Sequence, residues 1–386
     1  MNILDCKPKL LNPNIVSGDG CYVIDESGKQ YVDFESGVWC LPLGHNHEQV
    51  NNAMIKQLNA ISHVGYRYTS KIVDEAAEQV LTLLNFTDGK CVFLSSGSEA
   101  VEFAVQLTKR IMDKPYFLCL DQFFLSSYGI SAARSREQWI SLDLSAYRGN
   151  PEAFLQDIPF DQIGTFVFEP GNASGRVHLP PKELIEAIAY KIKAADGIIV
   201  VDEVTTGIGR TGKWFGFEHY DLCPDIVSLG KGIGNGYPVS VIALSKSMAH
   251  RAEQSGFRYA QSHQDDPLGC AVVKEVLSLI ESGNYIRRAV QMGRMLEQEL
   301  GALLKKYKCV KEVRGIGLMY VMEFWQDETL PLEEIHQKLF EMGYVVGLTL
   351  TPTVNLLRFY PPLTIEEVHI KGLTEALDTI LQAYTK

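Results

Sequence analysis

Residues 201–238 read VDEVTTGIGRTGKWFGFEHYDLCPDIVSLGKGIGNGYP. This glycine-rich segment begins at the end of one short apolar run and contains a second. The first run is IIVVDE at 198–203, and the second is DIVSL at 225–229. Runs this short and this apolar are typical of strands that are buried on both faces of a parallel sheet. Helical patterns alternate with such runs, so the sequence predicts an α/β protein with a largely parallel sheet. Three further runs have the same character: CVFL at 91–94, TFVFE at 165–169 and VSVIAL at 239–244.

Three of these strands end in polar residues. Asp202 and Glu203 end the first run, Glu169 ends the run at 165–169, and Lys231 follows the run at 225–229. Ligands of open parallel sheets bind beyond the carboxyl ends of the strands. We therefore expect an aspartate, a glutamate and a lysine to converge at one edge of the sheet.

Lys231 has a glycine on each side. Glycines let the backbone approach a ligand closely, and a lysine held there can be partly desolvated. Desolvation lowers the pKa of an amine, and a neutral amine can form a Schiff base with a carbonyl cofactor. A flexible glycine turn that carries a solvated lysine is the alternative interpretation.

The segment FLSSGSEAVEF at 93–103 has the pattern of a strand, a turn and a helix start. Ser96 and Glu99 fit a capping box. The backbone N–H groups of Gly97 and Ser98, at the positive end of the helix dipole, would also form a phosphate site. The two interpretations are compatible.

Residues 207–213 match the GxxxxGK pattern of a P-loop. Trp214, however, stands where a P-loop has the Ser or Thr that binds magnesium. The carboxylates of Asp202 and Glu203 would also lie beside the nucleotide phosphates. These two features argue against a nucleoside triphosphatase.

Charge and composition narrow the class of protein. Among 386 residues, 36 Lys and Arg oppose 47 Asp and Glu, for a net charge of −11. This charge and the lack of a basic run argue against nucleic-acid binding. The sequence has no apolar stretch of the roughly 20 residues that a membrane span needs and no signal-peptide pattern. We expect a soluble, cytoplasmic protein.

The eight cysteines are scattered, without a CxxC pair or a His/Cys ligand spacing. Such cysteines are expected to be buried free thiols. His45 and His47 form an HxH pair, which is weak support for a metal site. We expect neither a disulfide framework nor a metal.

The ends of the chain differ from the middle. Residues 20–34 predict a hairpin with its turn at 26–28, and the C-terminal part predicts a smaller α+β unit. The predicted large, cofactor-binding domain covers 48–265. The predicted small domain combines 1–47 with 266–386.

In chain order, the motifs resemble those of the class III aminotransferases, the ornithine, acetylornithine and ω-amino acid type. These are pyridoxal-phosphate enzymes with an aspartate-aminotransferase-like fold (PLP fold type I). The resemblance covers nearly the whole chain and is most specific at 201–238. The other matching motifs are GDGCYVIDESGKQYVDFESGVW, LGHNH, FLSSGSEA, FEP, VRGIGLMYVMEF and LLRFYPPLT.

The resemblance implies that Lys231 binds pyridoxal 5'-phosphate through a Schiff base and then moves the substrate proton. It implies that Asp202 keeps the pyridine nitrogen protonated. These two are the expected catalytic residues. Ser262 matches the threonine that reaches the phosphate held by the partner subunit, so the resemblance also implies a homodimer with shared active sites.

Five more cofactor contacts are implied by the resemblance. Val204 would pack on the ring, and Thr205 stands where the family usually has Gln, near the ring hydroxyl. Gly97 and Ser98 would hold the phosphate. Phe123 matches the aromatic residue that stacks on the other face of the ring.

Three residues are candidates for substrate binding. Trp39 resembles the pocket tryptophan of ω-amine:pyruvate transaminases. Glu169 and Arg358 resemble the pair with which some members switch between substrates with and without an α-carboxylate; a permanent salt bridge is the alternative. Ser126 stands where acetylornithine-type members have an arginine that grips a substrate carboxylate, so a less cationic pocket is expected.

The sequence therefore predicts an aminotransferase that uses a ping-pong mechanism. A donor amine, expected to be of the ω-amino type, would pass its amino group to a keto acid or an aldehyde. An aminomutase, a racemase or a decarboxylase on the same fold is the alternative function. A binding protein that has lost turnover is a third hypothesis, and Thr205 and the FFLSS segment at 123–127 favour it.

Overall fold

The computed structural model describes residues 14–171, 175–326 and 331–384. The first 13 residues of the predicted small domain lie outside these ranges. The described residues form three sheets. Their strands, in chain order, are β1 (Ile15–Asp19), β2 (Tyr22–Asp25), β3 (Gln30–Asp33), β4 (Lys90–Leu94), β5 (Tyr116–Leu120), β6 (Trp139–Leu142), β7 (Ile163–Phe168), β8 (Ile198–Asp202), β9 (Ile226–Leu229), β10 (Ser240–Leu244), β11 (Val310–Ile316), β12 (Met319–Phe324), β13 (Tyr344–Val345), β14 (Gly347–Thr351) and β15 (Val354–Phe359).

The largest sheet has seven strands in the order β4-β10-β9-β8-β7-β5-β6. Strand β10 runs antiparallel to both of its neighbours, and the other pairs are parallel. All residues of β7, β8, β9 and β10 are buried. The prediction of a largely parallel, doubly covered sheet is therefore confirmed. Strands β5 and β6 were not predicted.

Helices cover both faces of this sheet and pack against the smaller sheets. The helix that starts at Gly97 buries Ala100, Ala104 and Leu107, the face that its sequence pattern predicts. The helices are Glu48–Ala60, Lys71–Leu83, Gly97–Ile111, Gly129–Ala133, Pro151–Leu155, Lys182–Ala194, Lys246–Gln254, Pro267–Ser282, Tyr285–Lys306, Leu332–Glu341 and Glu367–Tyr384. In the part of the chain that the structure describes, none of them is long and apolar enough to cross a membrane.

The two smaller sheets have the orders β1-β2-β3-β13 and β11-β12-β15-β14. The predicted hairpin is present, because β2 and β3 pair in antiparallel fashion. Most of the buried side chains from Ala289 to Leu381 form one cluster with Cys21 and Phe34. The helix Pro267–Ser282 instead buries its apolar face in the core of the seven-stranded sheet, although the predicted boundary at 265 precedes it.

Arg210, from the GIGRTG segment, joins the large sheet to the C-terminal part of the chain. Its side chain is only 3% exposed, and its guanidinium donates hydrogen bonds to the carbonyl oxygens of Leu318 and Pro361. Burial lowers the pKa of Arg210 to about 10. The glycines at 209 and 212 have φ of +83°, which fits the tight loop that carries this arginine. The segment that resembles a P-loop is thus a structural connection.

Candidate active site

The polar residues at the strand ends meet as predicted. Strands β7, β8 and β9 are adjacent and parallel, so Glu169, Asp202 and Lys231 emerge at the same edge of the sheet. Glu169 and Asp202 are buried, with 1% and 3% of their surface exposed. Glu203, next in the chain, points elsewhere: its carboxylate accepts hydrogen bonds from the N–H groups of Gly216 and Phe217 and shapes the following loop.

Lys231 is half-buried and is held in one place. Its Nζ donates a hydrogen bond of 2.7 Å to Oγ1 of Thr205 and lies 4.8 Å from the centroid of the Trp39 ring. Its φ of +42° is in the left-handed region, a strained conformation typical of functional sites. Burial lowers the pKa of Lys231, and the negative charges of Asp202 and Glu169 partly oppose that shift. This lysine is not the solvated residue of the alternative interpretation.

We expect the lowered pKa of Lys231 to be visible in the cofactor-free protein. Acetylation of Lys231, followed by mass spectrometry across a pH series, should have its midpoint below the ordinary lysine pKa of 10.5. The Asp202→Asn substitution removes a negative charge that raises this pKa, so the midpoint should move to still lower pH. A Lys231 midpoint at or above 10.5 would contradict the predicted shift.

Asp202 is a buried carboxyl group, and only part of its hydrogen-bonding capacity is satisfied by other residues of the chain. Its Oδ1 accepts a hydrogen bond of 3.0 Å from the backbone N–H of Val204. Burial raises the pKa of Asp202, and the hydrogen bond and the charge of Lys231 reduce that rise. A carboxylate in this position would gain from a cationic N–H partner, which a protonated pyridine ring supplies.

Gly97, Val204 and Gly230 pack tightly where the first turn of a helix meets the ends of two strands. A Cβ on Gly97 would lie 2.5 Å from Cγ1 of Val204, and a Cβ on Gly230 would lie 3.2 Å from Cα of Gly97. Gly97 therefore has no room for a side chain, and a side chain at 230 would need its neighbours to move by a few tenths of an ångström. The backbone comes this close only because side chains are missing, as expected where a chain wraps around a ligand.

The start of the same helix can hold an anion. Ser96 and Glu99 form the predicted capping box, with the Ser96 hydroxyl accepting from the Glu99 N–H. The N–H groups of Gly97 and Ser98 then have no partner within the helix, which leaves them available to a phosphate. Together with the amine of Lys231, whose pKa burial lowers, and the buried Asp202, this donor set fits pyridoxal phosphate.

The segment 123–127 closes over the helix start. Phe123 is buried, with its ring centroid 6.2 Å from that of Phe168. The Ser127 N–H donates to Oγ of Ser98, and the Ser126 hydroxyl donates to the carbonyl of Tyr128 at 2.8 Å. Ser126 is thus engaged with the backbone and is buried, so it does not replace the carboxylate-gripping arginine.

Trp39 reaches the site from an unusual turn. Residues 36 to 39 all have positive φ, between 43° and 71°, which is a left-handed turn built mostly from residues other than glycine. The Ser36 hydroxyl donates to the carbonyl of Tyr360 and accepts from Arg210, and the Gly37 N–H donates to Asp33. The Trp39 ring stacks on Tyr360 with 4.8 Å between centroids. Tertiary contacts therefore stabilise the strain that places the indole beside Lys231.

Arg358 also lies next to this cluster, with Cζ 5.6 Å from the centroid of the Trp39 ring. The carboxylate that pairs with it in the structure is that of Glu35, at 2.9 Å from Nη2. Its expected partner, Glu169, is close enough to Lys231 to raise the pKa of the amine. The sequence pattern points to Arg358 but gives no signal for Glu35.

Ser262 is exposed in the loop before the helix Pro267–Ser282, so a neighbouring subunit could reach it. The same region contains a cluster that the sequence analysis missed. Asp266 accepts hydrogen bonds from Nδ1 of both His63 and His263, at 2.5 and 2.6 Å. Their ligand atoms lie within 4.8 Å of one another, close enough to hold a metal ion. His63 and Asp266 are 203 positions apart in sequence, so no local spacing could reveal the cluster.

Comparison with known proteins agrees with this geometry. The family described as Aminotransferase class-III matches residues 7–119 and 146–381. The chain is 30% identical to an acetylornithine aminotransferase of Caldanaerobacter subterraneus subsp. tengcongensis, over 95% of this chain and 94% of that protein. In structure it is similar to a Bacillus anthracis aminotransferase, with a TM-score of 0.90, 23% identity and coverage of 99% and 96% of the two chains. It is also similar to the PMP-bound form of a Vibrio fluvialis aminotransferase, with a TM-score of 0.87, 21% identity and coverage of 97% and 93%.

Proposed function

The chain belongs to the class III aminotransferases, with PLP fold type I and pyridoxal 5'-phosphate as cofactor, and we propose that its donor is an amine of the ω-amino type. Amino transfer itself follows from the family; the choice of substrate and the role of each residue are our proposals. These proposals rest on one observation, the cluster of Lys231, Asp202 and Trp39 at the strand ends.

In this proposal Lys231 is the catalytic base and acid. When bound, pyridoxal phosphate supplies the carbonyl group that receives the amino group and a ring that accepts electrons. Nζ of Lys231 would take the proton that leaves the substrate carbon and would deliver it to the cofactor carbon that carried the carbonyl group. The hydroxyl of Thr205, 2.7 Å away, accepts a hydrogen bond from Nζ and so orients the amine. Burial lowers the pKa of this amine, so at a given pH a larger fraction of it is in the basic form than for an exposed lysine.

The remaining site residues bind and orient. Asp202 accepts a hydrogen bond from a protonated ring nitrogen, Gly97 and Ser98 donate N–H groups to the phosphate, and Val204 and Phe123 provide apolar surface for the ring. Trp39 and Arg358 belong to the substrate side of the pocket, and the buried Glu169 adds a negative charge near Lys231.

We place the enzyme in a homodimer, in which the exposed Ser262 reaches the phosphate held by the partner subunit. We also propose a cytoplasmic location. All the cysteines that the structure describes are free thiols, which fits a reducing compartment.

The pocket favours donors other than N-acetylornithine. The hydroxyl of Ser126 is used by the backbone of Tyr128, so the arginine that acetylornithine-type members place here has no substitute at this position. A lost charge-assisted hydrogen bond reduces affinity by roughly 10- to 100-fold. A simple primary amine or β-alanine does not need that contact.

The test is the first half-reaction of the holoenzyme, followed by the visible absorbance of the cofactor without an acceptor. We expect a primary amine, β-alanine or ornithine to bleach the absorbance at least about tenfold more efficiently than N-acetylornithine. A preference for N-acetylornithine would contradict the proposed donor class. A holoenzyme that no donor bleaches would contradict the proposed transfer from these amines and would favour an aminomutase or a racemase.

A further inference from the structure

Glu35 forms the ion pair with Arg358, and it has no role in the resemblance to the family. It precedes the left-handed turn that carries Trp39, and its Oε1 accepts hydrogen bonds from Nη2 and Nε of Arg358, at 2.9 and 3.2 Å. We propose that Glu35 sets the substrate selectivity of the site: it occupies Arg358, so that a substrate α-carboxylate binds there only by displacing it. This inference rests on the proposed function.

The hydrogen bonds of Arg358 show why displacement is needed. Besides its two bonds to Glu35, its Nη1 donates to Oγ1 of Thr349 at 2.6 Å and to the carbonyl of Leu348 at 3.3 Å. A guanidinium has five N–H donors, and four of these are therefore engaged. A carboxylate binds arginine best through two parallel N–H groups, and one remaining donor does not provide them.

The packing around the ion pair favours this arrangement. Gly347 lies directly opposite Arg358 in the β14–β15 ladder. A Cβ on Gly347 would overlap Oε1 of Glu35 and would lie 2.5 Å from Nε of Arg358. A Cβ on Gly175 would lie 2.7 Å from Cδ of the same arginine. Arg358 thus lies between two glycines. The ion pair contacts the backbone of Gly347 because this residue has no side chain.

The ion pair is close to the reacting groups. The Trp39 ring is 5.6 Å from Cζ of Arg358 and 4.8 Å from Nζ of Lys231, so these two atoms are no farther apart than the sum of the two distances. The side chains of Glu35 and Arg358 each keep 17% exposure, which leaves the pair accessible. A substrate that has its amino group near Lys231 and a carboxylate beside Arg358 and Trp39 would therefore reach the pair.

The consequence is a selectivity that depends on one carboxylate. While Glu35 neutralises Arg358, this wall of the pocket attracts an α-carboxylate only weakly, and amines without one are favoured. A keto acid that acts as acceptor must compete with Glu35. Replacing Glu35 with glutamine frees the guanidinium for the substrate, which should strengthen α-carboxylate binding by roughly 10- to 100-fold.

The experiment compares the holoenzyme with its Glu35→Gln variant, using glutamate and butylamine as donors in the first half-reaction. We expect the ratio of KM for glutamate to KM for butylamine to fall at least tenfold in the variant. The dissociation constant of glutarate, an unreactive dicarboxylate, should fall with it. The control is Glu253→Gln, which removes one negative charge from an exposed pair with Lys90 and should change neither quantity.

An unchanged or increased KM ratio in the Glu35→Gln variant, with glutarate binding unchanged, would overturn the role of Glu35. If that variant does not fold, Glu35→Asp decides, because a carboxylate one methylene shorter holds Arg358 less closely and should lower the same ratio. A parent enzyme that no donor bleaches would contradict the proposed function instead, and glutarate binding would still test Glu35.

Discussion

Replacing Lys231 with alanine is expected to reduce amino transfer by roughly 10²- to 10⁴-fold, the contribution of a positioned acid–base group. Nζ of Lys231 lies at the strand ends between Thr205 and Trp39, and burial lowers its pKa below that of an ordinary lysine. Alanine has no group that can move the proton. The measurement is kcat/KM with the best donor and acceptor, together with the cofactor absorbance of the purified variant.

The matched control is Lys246→Ala, because Lys246 forms an exposed ion pair with Asp88 far from the strand ends. Added methylamine should restore part of the activity of the Lys231→Ala variant, since a small amine can occupy the space of the lost side chain. A variant that keeps more than a tenth of the parent activity would show that another group moves the proton.

The edge of the sheet that holds this lysine could be predicted because its signals are local. Buried strands are recognisable as short apolar runs, and the polar residue that ends each run must emerge at the same edge when the strands are parallel. The capping box at Ser96 and Glu99 is equally local, since it needs only a spacing of three residues. Asp202, Lys231 and the helix start at Gly97 were therefore predictable from short segments.

The substrate side of the pocket could not be predicted in the same way. Glu35 and Arg358 are separated by 323 positions, and only the meeting of the N-terminal segment with β15 joins them. The left-handed turn at 36–39 has only one glycine, so its strain depends on distant partners such as Arg210 and the carbonyl of Tyr360. The resemblance offered Glu169 as a partner of Arg358, and no local pattern in the sequence pointed to Glu35.

Replacing Asp202 with asparagine is expected to change activity and stability in opposite directions. Asparagine has the same shape but no negative charge, so it cannot favour a protonated ring nitrogen. Loss of one preorganised electrostatic contact of this kind reduces kcat by about 10²- to 10³-fold. Steady-state kinetics with saturating cofactor measures this loss. An unchanged kcat would contradict a catalytic role for Asp202.

The stability of the cofactor-free protein should increase in the same Asp202→Asn variant. Burial raises the pKa of Asp202 above the ordinary value of 3.8, so the folded state binds the proton more tightly than the unfolded state does. The stability that this proton provides is complete below pH 3.8 and is lost as the pH rises through the raised pKa of the folded state. Urea unfolding at pH 8 should therefore give a higher midpoint for the variant, and the difference should shrink as the pH is lowered.

A variant that is less stable at every pH would mean that attraction between Asp202 and Lys231 outweighs the cost of burial. Lys231 would then stabilise the buried carboxylate of Asp202 by itself, and that carboxylate would not require a cationic group of the cofactor.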